Sequence, residues 1–207
     1  MNIILDMNAF KSNLFIISAP SGTGKTVVFN ELKRKLPFSI KRITTRTTRS
    51  PRISERNGID YNFTTGATFE NLIKGNAFLE YAKVYGNYYG SPIQPILNSI
   101  NEKRDALLIV DVQGAVAIQQ RVAGAVFIFL VPPSLKVLEE RLRGRGEDSE
   151  DQIKQRLENV KKELSYYSVY NYIVESNNLD ITVSTVESII KTEKCRVNKT
   201  DVIAKLI

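Results

Sequence analysis

Ala19-Pro20-Ser21-Gly22-Thr23-Gly24-Lys25-Thr26 is the stretch that decides the fold. It follows the apolar run Leu14-Phe15-Ile16-Ile17 and precedes Val27-Val28-Phe29-Asn30-Glu31-Leu32. That order reads as strand, glycine-rich turn and helix, the setting a phosphate-binding P-loop requires. Gly22 and Gly24 let the backbone bend and bring N–H groups close to an anion. A helix starting near Lys25 adds the positive end of its dipole. Lys25 can reach the β- and γ-phosphates of a nucleotide, and the Thr26 hydroxyl can ligate Mg²⁺. The usual pattern opens with Gly where Ala19 stands here, a mild change unless that position needs positive φ. An ordinary glycine-rich turn is the plainer reading, and the flanking strand and helix weigh against it.

Outward from the loop, five apolar or β-branched runs read as strands: Leu14 to Ser18, Ile40 to Thr45, Leu107 to Val112, Ala125 to Val131 and Tyr172 to Glu175. Three are nearly continuous apolar runs, as expected of parallel strands covered on both faces. Val27, Val28, Leu32 and Leu36 recur at helical spacing until Pro37. Thr68 to Lys74 predicts a helix carrying Phe69, Leu72 and Ile73, with Gly75 as its C′ residue, the position that commonly turns left-handed. Ser134 can cap a helix bearing Leu135, Leu138 and Leu142. Ser149 and Gln152 form a capping-box match before Ile153, Leu157, Val160 and Leu164. The alternation predicts an α/β fold, a three-layer core with a parallel sheet and the loop at the end of its first strand. Between Pro51 and Pro95 short polar and aromatic segments with several glycines suggest a small, mostly β insertion.

Composition sets the bounds. The 207 residues suffice for one large or two small domains, and the apolar and charged fractions of 43% and 25% are those of an ordinary globular chain. No run of about 18 apolar residues exists to span a membrane. The N-terminus lacks a basic segment and Asp6 interrupts its apolar run, so no signal peptide is expected. The single Cys195 cannot form an internal disulfide, which fits a reducing cytoplasm. Histidine is absent, which excludes imidazole as a base or metal ligand. The net charge of +7 is compatible with nucleic acid, an acidic membrane face or small phosphorylated ligands. Aromatic interleaving of the kind that stacks single-stranded bases is missing from the basic clusters. Clustered Arg beside a P-loop favours nucleotide phosphates, so neither nucleic acid nor membrane is expected as a partner.

A second constellation runs from Thr47 to Phe63. Arg49 and Arg52, with Tyr61 further on, can converge on one anion, since Arg offers a planar fork to phosphate oxygens and Tyr adds a hydroxyl. Asn57-Gly58 supplies a turn that brings the Tyr61 strand back. Phe78-Leu79-Glu80-Tyr81-Ala82 and Gly86-Asn87-Tyr88-Tyr89-Gly90-Ser91 add a carboxylate and more phenols. Taken alone, these segments read equally well as β-rich surface with aromatic packing.

Together with the P-loop they resemble the guanylate kinase family, whose members move a phosphate from ATP to GMP. The resemblance runs from about Asn13 to about Lys191. It is carried by T-T-R-x-x-R-x-x-E-x-x-G-x-D-Y-x-F, F-L-E-Y-A, G-N-Y-Y-G-S, V-D-V-Q-G-A at Val110 to Ala115, and the stretch from Pro132-Pro133-Ser134 to Gly144-Arg145-Gly146. It implies one domain over 1–207: a core of 1–43, 95–134 and 167–207, a GMP-binding insertion at 44–94, and a helical lid at 135–166. It also implies that Ala19 to Thr26 cradle ATP and that Arg49 and Arg52 grip the GMP phosphate, with Tyr61 and Tyr89 donating hydroxyls. Glu80 matches the carboxylate that accepts from guanine, with Thr45 and Ser91 nearby. Arg141, Arg145 and Arg156 match lid arginines that approach the transferring phosphoryl group beside Lys25, and Asp111 matches the acid near Mg²⁺. GMP or dGMP would be the acceptor. Ile109 stands where many members carry a second acid, and Ser176-Asn177 replaces the usual Asn-Asp. Other nucleoside monophosphate kinases share the core but not the Tyr-rich insertion and Glu80. Non-catalytic protein-binding modules of guanylate-kinase type tend to lose the loop and GMP residues kept here.

Overall fold

The computed structural model describes residues 4–20, 22–35, 40–53, 55–84, 86–144 and 149–200, with the Thr26 and Lys33 side chains outside that description. In chain order the elements are β1 (Leu5–Asp6), β2 (Leu14–Ser18), α1 (Lys25–Lys35), β3 (Ile40–Ile43), β4 (Arg46–Thr47), β5 (Asn62–Phe63), α2 (Gly66–Lys74), β6 (Phe78–Val84), β7 (Asn87–Pro92) and α3 (Ile93–Asn101). They continue with β8 (Asp105–Val110), α4 (Val112–Gln119), β9 (Val122–Ala123), β10 (Val126–Val131), α5 (Leu135–Gly144), α6 (Glu150–Leu164), β11 (Tyr172–Glu175) and α7 (Leu179–Glu193).

Five strands pair in the order β11-β10-β2-β8-β3, and every pairing is parallel. All five residues of β2 are buried, as befits a central strand covered on both sides. The pleat divides its side chains between two cores. Leu14 and Ile16 join Leu108, Ala115 and Ile118 on one face, while Phe15 and Ile17 join Val28, Phe29, Leu32, Val183 and Val186 on the other. Helices α3 and α4 therefore cover one face, and α1 and α7 the other. Because β2 lies between β8 and β10, the turn leaving its carboxyl end opens at the point where strand order reverses, the usual ligand crevice of such sheets.

A second sheet, β5-β4-β7-β6, lies within residues 44–94 together with α2. Strands β4, β7 and β6 pair antiparallel, but β4 and β5 are parallel. Asn57-Gly58 therefore does not close a hairpin between β4 and β5. Gly58, at φ +77°, closes a local turn in which its N–H donates to the Tyr61 carbonyl at 2.8 Å. A third cluster, Leu138, Leu142, Ile153 and Val160, is shared by α5 and α6. Ser149 and Gln152 form the expected capping box, and the Ser134 hydroxyl accepts from the Val137 N–H at 3.1 Å.

Several local expectations need correction. Val27 is exposed, and Phe29 takes its place on the buried face of α1, while Leu36 and Pro37 lie outside the described residues. Strand β8 starts at Asp105 and ends at Val110, because the Asp111 carboxylate caps the next helix and turns Val112 into its first residue. Gly75 has φ −82°, and the left-handed residue past α2 is Asn76 at φ 51°. Helix α3 carries Pro95 in its first turn, where a missing N–H costs nothing, so that proline does not break the helix.

Candidate active site

The loop between β2 and α1 is shaped by its glycines. Gly22 and Gly24 sit at φ +88° and +98°. Ala19 is not among the left-handed residues; it is buried in the core beneath the loop, so an alanine fits there without strain. A side chain at Gly22 would press on Leu138 and Leu142 of α5, both 3.0 Å from an ideal Cβ. The loop and the 135–144 helix are thus in direct contact. The Thr23 N–H donates to the Pro20 carbonyl at 3.3 Å, and the buried Thr23 hydroxyl has no hydrogen-bond partner among the described residues. Ser21 and the Thr26 side chain lie outside the described residues.

Lys25 opens α1, and its Nζ lies 3.5 Å from the Val110 carbonyl at the end of β8. Burial draws its pKa below the usual lysine value, and the nearby Asp111 and Glu163 carboxylates oppose that fall. Asp111 accepts from the Gly114 N–H at 2.7 Å as the cap of α4. Gly114 in turn packs on the far side of the site: an ideal Cβ there would lie 3.6 Å from the Glu80 carboxyl carbon and 3.3 Å from Asp111 Oδ1. A continuous path of contacts therefore runs from Lys25 through the end of β8 and the start of α4 to Glu80.

Glu80 is buried on β6, and the Ser91 hydroxyl on β7 donates to its Oε1 at 2.5 Å. Burial pushes its pKa up to about 7; Asp111 adds to the rise, while the Ser91 hydrogen bond and Arg121 oppose it. The carboxylate is held in low dielectric with Ser91 as its one hydrogen-bond donor among the described residues, leaving acceptor capacity for a donor-bearing ligand. Thr45 is half-buried at the same sheet, its carbonyl accepting from the Asn62 N–H at 2.8 Å.

Arg49 pairs with Glu55 through one nitrogen, Nη2 lying 2.8 and 2.9 Å from the two carboxylate oxygens, while Nη1 donates to the Ser50 carbonyl at 2.7 Å. Its guanidinium carbon stands 5.6 Å from the Tyr61 ring centroid and 5.8 Å from that of Phe63. Tyr61 and Tyr89 meet edge to face at 6.1 Å. The hydrogen bond from Arg49 to Glu55 holds the Arg49 pKa above its ordinary value. Burial pushes Glu55 up, but the bonds from the Arg49 side chain and the Arg52 N–H more than offset it. Arg52 points its side chain to solvent while its N–H binds Glu55 at 2.8 Å. Glu55 thus organises both arginines. Sequence reasoning gave it no role, although a single carboxylate three residues after Arg52 in a basic segment was the available signal.

On the α5–α6 side, Arg141 donates to the Ser176 carbonyl at 2.9 Å and the Asn177 carbonyl at 3.3 Å. The Ser176 hydroxyl donates to the Thr23 carbonyl at 3.0 Å. The Ser176-Asn177 departure is therefore built into the loop's support. Arg156 is half-buried on α6, and Arg145 lies outside the described residues. Ile109 packs against the core shared by α1 and α7.

A P-loop at the switch point of a parallel sheet, joined by packed contacts to an arginine- and carboxylate-bearing cradle, defines a P-loop phosphotransferase. The family model described as guanylate kinase matches residues 11–193. The guanylate kinase of Clostridium tetani is 41% identical over 189 residues, covering 91% of this chain and 90% of that protein. That of Rickettsia felis is 40% identical, covering 89% and 95%. The crystal structure of guanylate kinase from Anaplasma phagocytophilum superposes with a TM-score of 0.73 at 26% identity, covering 96% of this chain and 94% of that one. The chain belongs to the guanylate kinase family.

Proposed function

We propose that this protein transfers the γ-phosphoryl group of ATP to GMP, and also to dGMP, giving ADP and GDP or dGDP. The path from Lys25 through Val110, Asp111 and Gly114 to Glu80 carries this reading, because packed contacts at the end of β8 link the glycine-rich loop to the buried Glu80 carboxylate. In the transfer, a GMP phosphate oxygen bonds to Pγ as the bond from Pγ to the β,γ-bridging oxygen breaks. The acceptor phosphate is already anionic near neutral pH, so the reaction needs placement and charge neutralisation rather than a strong base. That suits a chain without histidine.

The residues divide as follows. Ala19 to Thr26 hold the ATP phosphates, and Lys25 neutralises charge growing on the transferring oxygens. Arg49, Arg52, Tyr61 and Tyr89 hold the GMP phosphate. Glu80, set by Ser91 and flanked by Thr45, accepts from guanine N1–H and the N2 amino group. The core (1–43, 95–134, 167–207) and the insertion (44–94) bring the two nucleotides together. The segment 135–166 closes as a lid that excludes water and brings Arg141, Arg145 and Arg156 toward the phosphates.

Mg²⁺ fits the donor set. Among the described residues no cluster of three or more acids, histidines or cysteines forms a closed cage. One Asp111 oxygen is committed to the Gly114 N–H, and the residue is exposed, so its other oxygen can take a cation. Mg²⁺ commonly takes one or two protein oxygens and completes its shell with phosphate and water. Asp111 and Thr26 would hold it, and it would screen the charge of the phosphate oxygens. Among the described residues no helix is long and apolar enough to cross a membrane. We place the protein in the cytoplasm, where ATP is supplied and a thiol such as Cys195 stays reduced.

ADP release measured with GMP, dGMP, AMP or no acceptor tests the proposal. The expected result is rapid release with GMP and dGMP and little with AMP or without an acceptor. Equal release with AMP would overturn the acceptor assignment, and release that ignores every acceptor would overturn the transfer itself.

A further inference from the structure

Arg42 has no place among the residues above, yet it sits between the two sites. It lies on β3 in register with Leu107 of β8, so its side chain shares the face that carries Phe15, Ile17 and Phe29. Its guanidinium carbon stands 4.4 Å over the Phe29 ring centroid, and its Nη2 donates to the Asp60 carbonyl at 3.1 Å. Phe29 lies on α1 four residues after Lys25, about one helical turn along the same side. Asp60 immediately precedes Tyr61.

The turn that receives Arg42 is closed within itself. The Asp60 N–H donates to the Arg56 carbonyl at 3.0 Å, the Asp60 carboxylate accepts from the Arg56 N–H at 2.8 Å, and Gly58 bonds Tyr61. A pull on the Asp60 carbonyl therefore moves the turn as a unit, and with it Tyr61, whose ring lies under Arg49. Burial lowers the Arg42 pKa, with Asp60 and Tyr61 opposing, which marks a guanidinium half withdrawn from water between the two elements.

We infer that Arg42 is a positioning residue, a strut from the Phe29 ring on the donor helix to the Asp60 carbonyl that sets where Tyr61 and Arg49 stand relative to Lys25. The inference rests on the acceptor reading of residues 44–94. Stacking on a ring while donating sideways to a carbonyl needs the planar fork of arginine, and a lysine ammonium can satisfy only one end at a time.

Steady-state kinetics of the wild type, Arg42→Met, Arg42→Lys and Phe29→Leu provide the test, with melting temperatures measured alongside. In Arg42→Met the KM for GMP should rise about tenfold while the KM for ATP stays within about twofold, since only the acceptor side has lost its anchor. Arg42→Lys should fall between. Phe29→Leu, a change on the core helix α1, should shift the GMP KM in the same direction by a smaller factor. The double variant Arg42→Met with Phe29→Leu should lose less than the product of the two, because both act on one contact. Should Arg42→Met fail to fold, the Lys and Leu variants carry the same test. An unchanged GMP KM in a folded Arg42→Met or in Phe29→Leu, or an equal rise in both KM values, would overturn the strut. A wild type that does not phosphorylate GMP would overturn the proposed function, and the strut with it.

Discussion

The two halves of the site are made of different material. The proposed ATP side is mostly backbone: two left-handed glycines, a helix start and one lysine within eight consecutive residues. The proposed GMP side is mostly side chains spread over more than forty residues, and two of its charged groups already have protein partners, Glu55 for Arg49 and Ser91 for Glu80. A backbone cradle gets its donors from conformation, so only residues that set φ or carry the essential charge matter there. A side-chain cradle needs partners to hold each group still, so neighbours that never touch the substrate count as well.

That contrast can be broken in order of severity. Lys25→Ala should lower turnover by about 10³-fold or more with little change in melting temperature, because it removes charge where charge develops rather than packing. Near-normal ADP production would show that the loop backbone suffices alone. Glu80→Gln should raise the GMP KM by about 10- to 100-fold and leave the ATP KM nearly unchanged, since the shape stays and the charge goes.

The same variant tests the electrostatics. With its pKa pushed up to about 7, Glu80 in the free protein takes up a proton as pH falls toward 6, so kcat/KM for GMP should fall on the acid side in wild type and flatten in Glu80→Gln. For stability the sign is opposite. The folded protein holds this proton more tightly than the unfolded chain does, so the stabilising contribution is full below the ordinary carboxyl range and lost as pH rises through about 7. Glu80→Gln should therefore be more stable than wild type at pH 8 without ligand, by about 1–2 kcal/mol. A GMP profile that stays flat between pH 6 and 8 in wild type would contradict the buried carboxylate.

The smallest effect should come from Ala19→Gly. Ala19 needs no positive φ, so restoring glycine should leave kinetics within about twofold and cost ~0.5–1 kcal/mol through a looser unfolded chain. A large gain in activity would mean that Ala19 strains the loop after all.

How much could be read from sequence follows the same division. The parallel sheet and the loop were legible because β2, β8 and β10 are near-continuous apolar runs, and Gly22, Gly24 and Lys25 sit in one contiguous motif. The acceptor cradle was visible mainly through family resemblance. Composition cannot say that Glu55 closes on Arg49, that β5 pairs parallel to β4, or that Gly114 brings α4 against Glu80, since each is a long-range or topological fact. Helix α3 was not among the elements read from sequence; it follows directly on β7 with Pro95 in its first turn, inside the stretch taken as the end of the β-rich insertion. Asn76 took the left-handed place expected of Gly75 because asparagine tolerates that conformation.

The central claim is that the proposed loop and acceptor cradle, joined through the end of β8, align a phosphoryl donor with a nucleotide acceptor. Phosphorus NMR of a mixture of protein, ATP, Mg²⁺ and GMP tests it most directly, because it follows where the γ-phosphoryl group goes. GDP and ADP should appear in equal amounts with negligible inorganic phosphate. ADP accompanied by inorganic phosphate and no GDP would contradict the account.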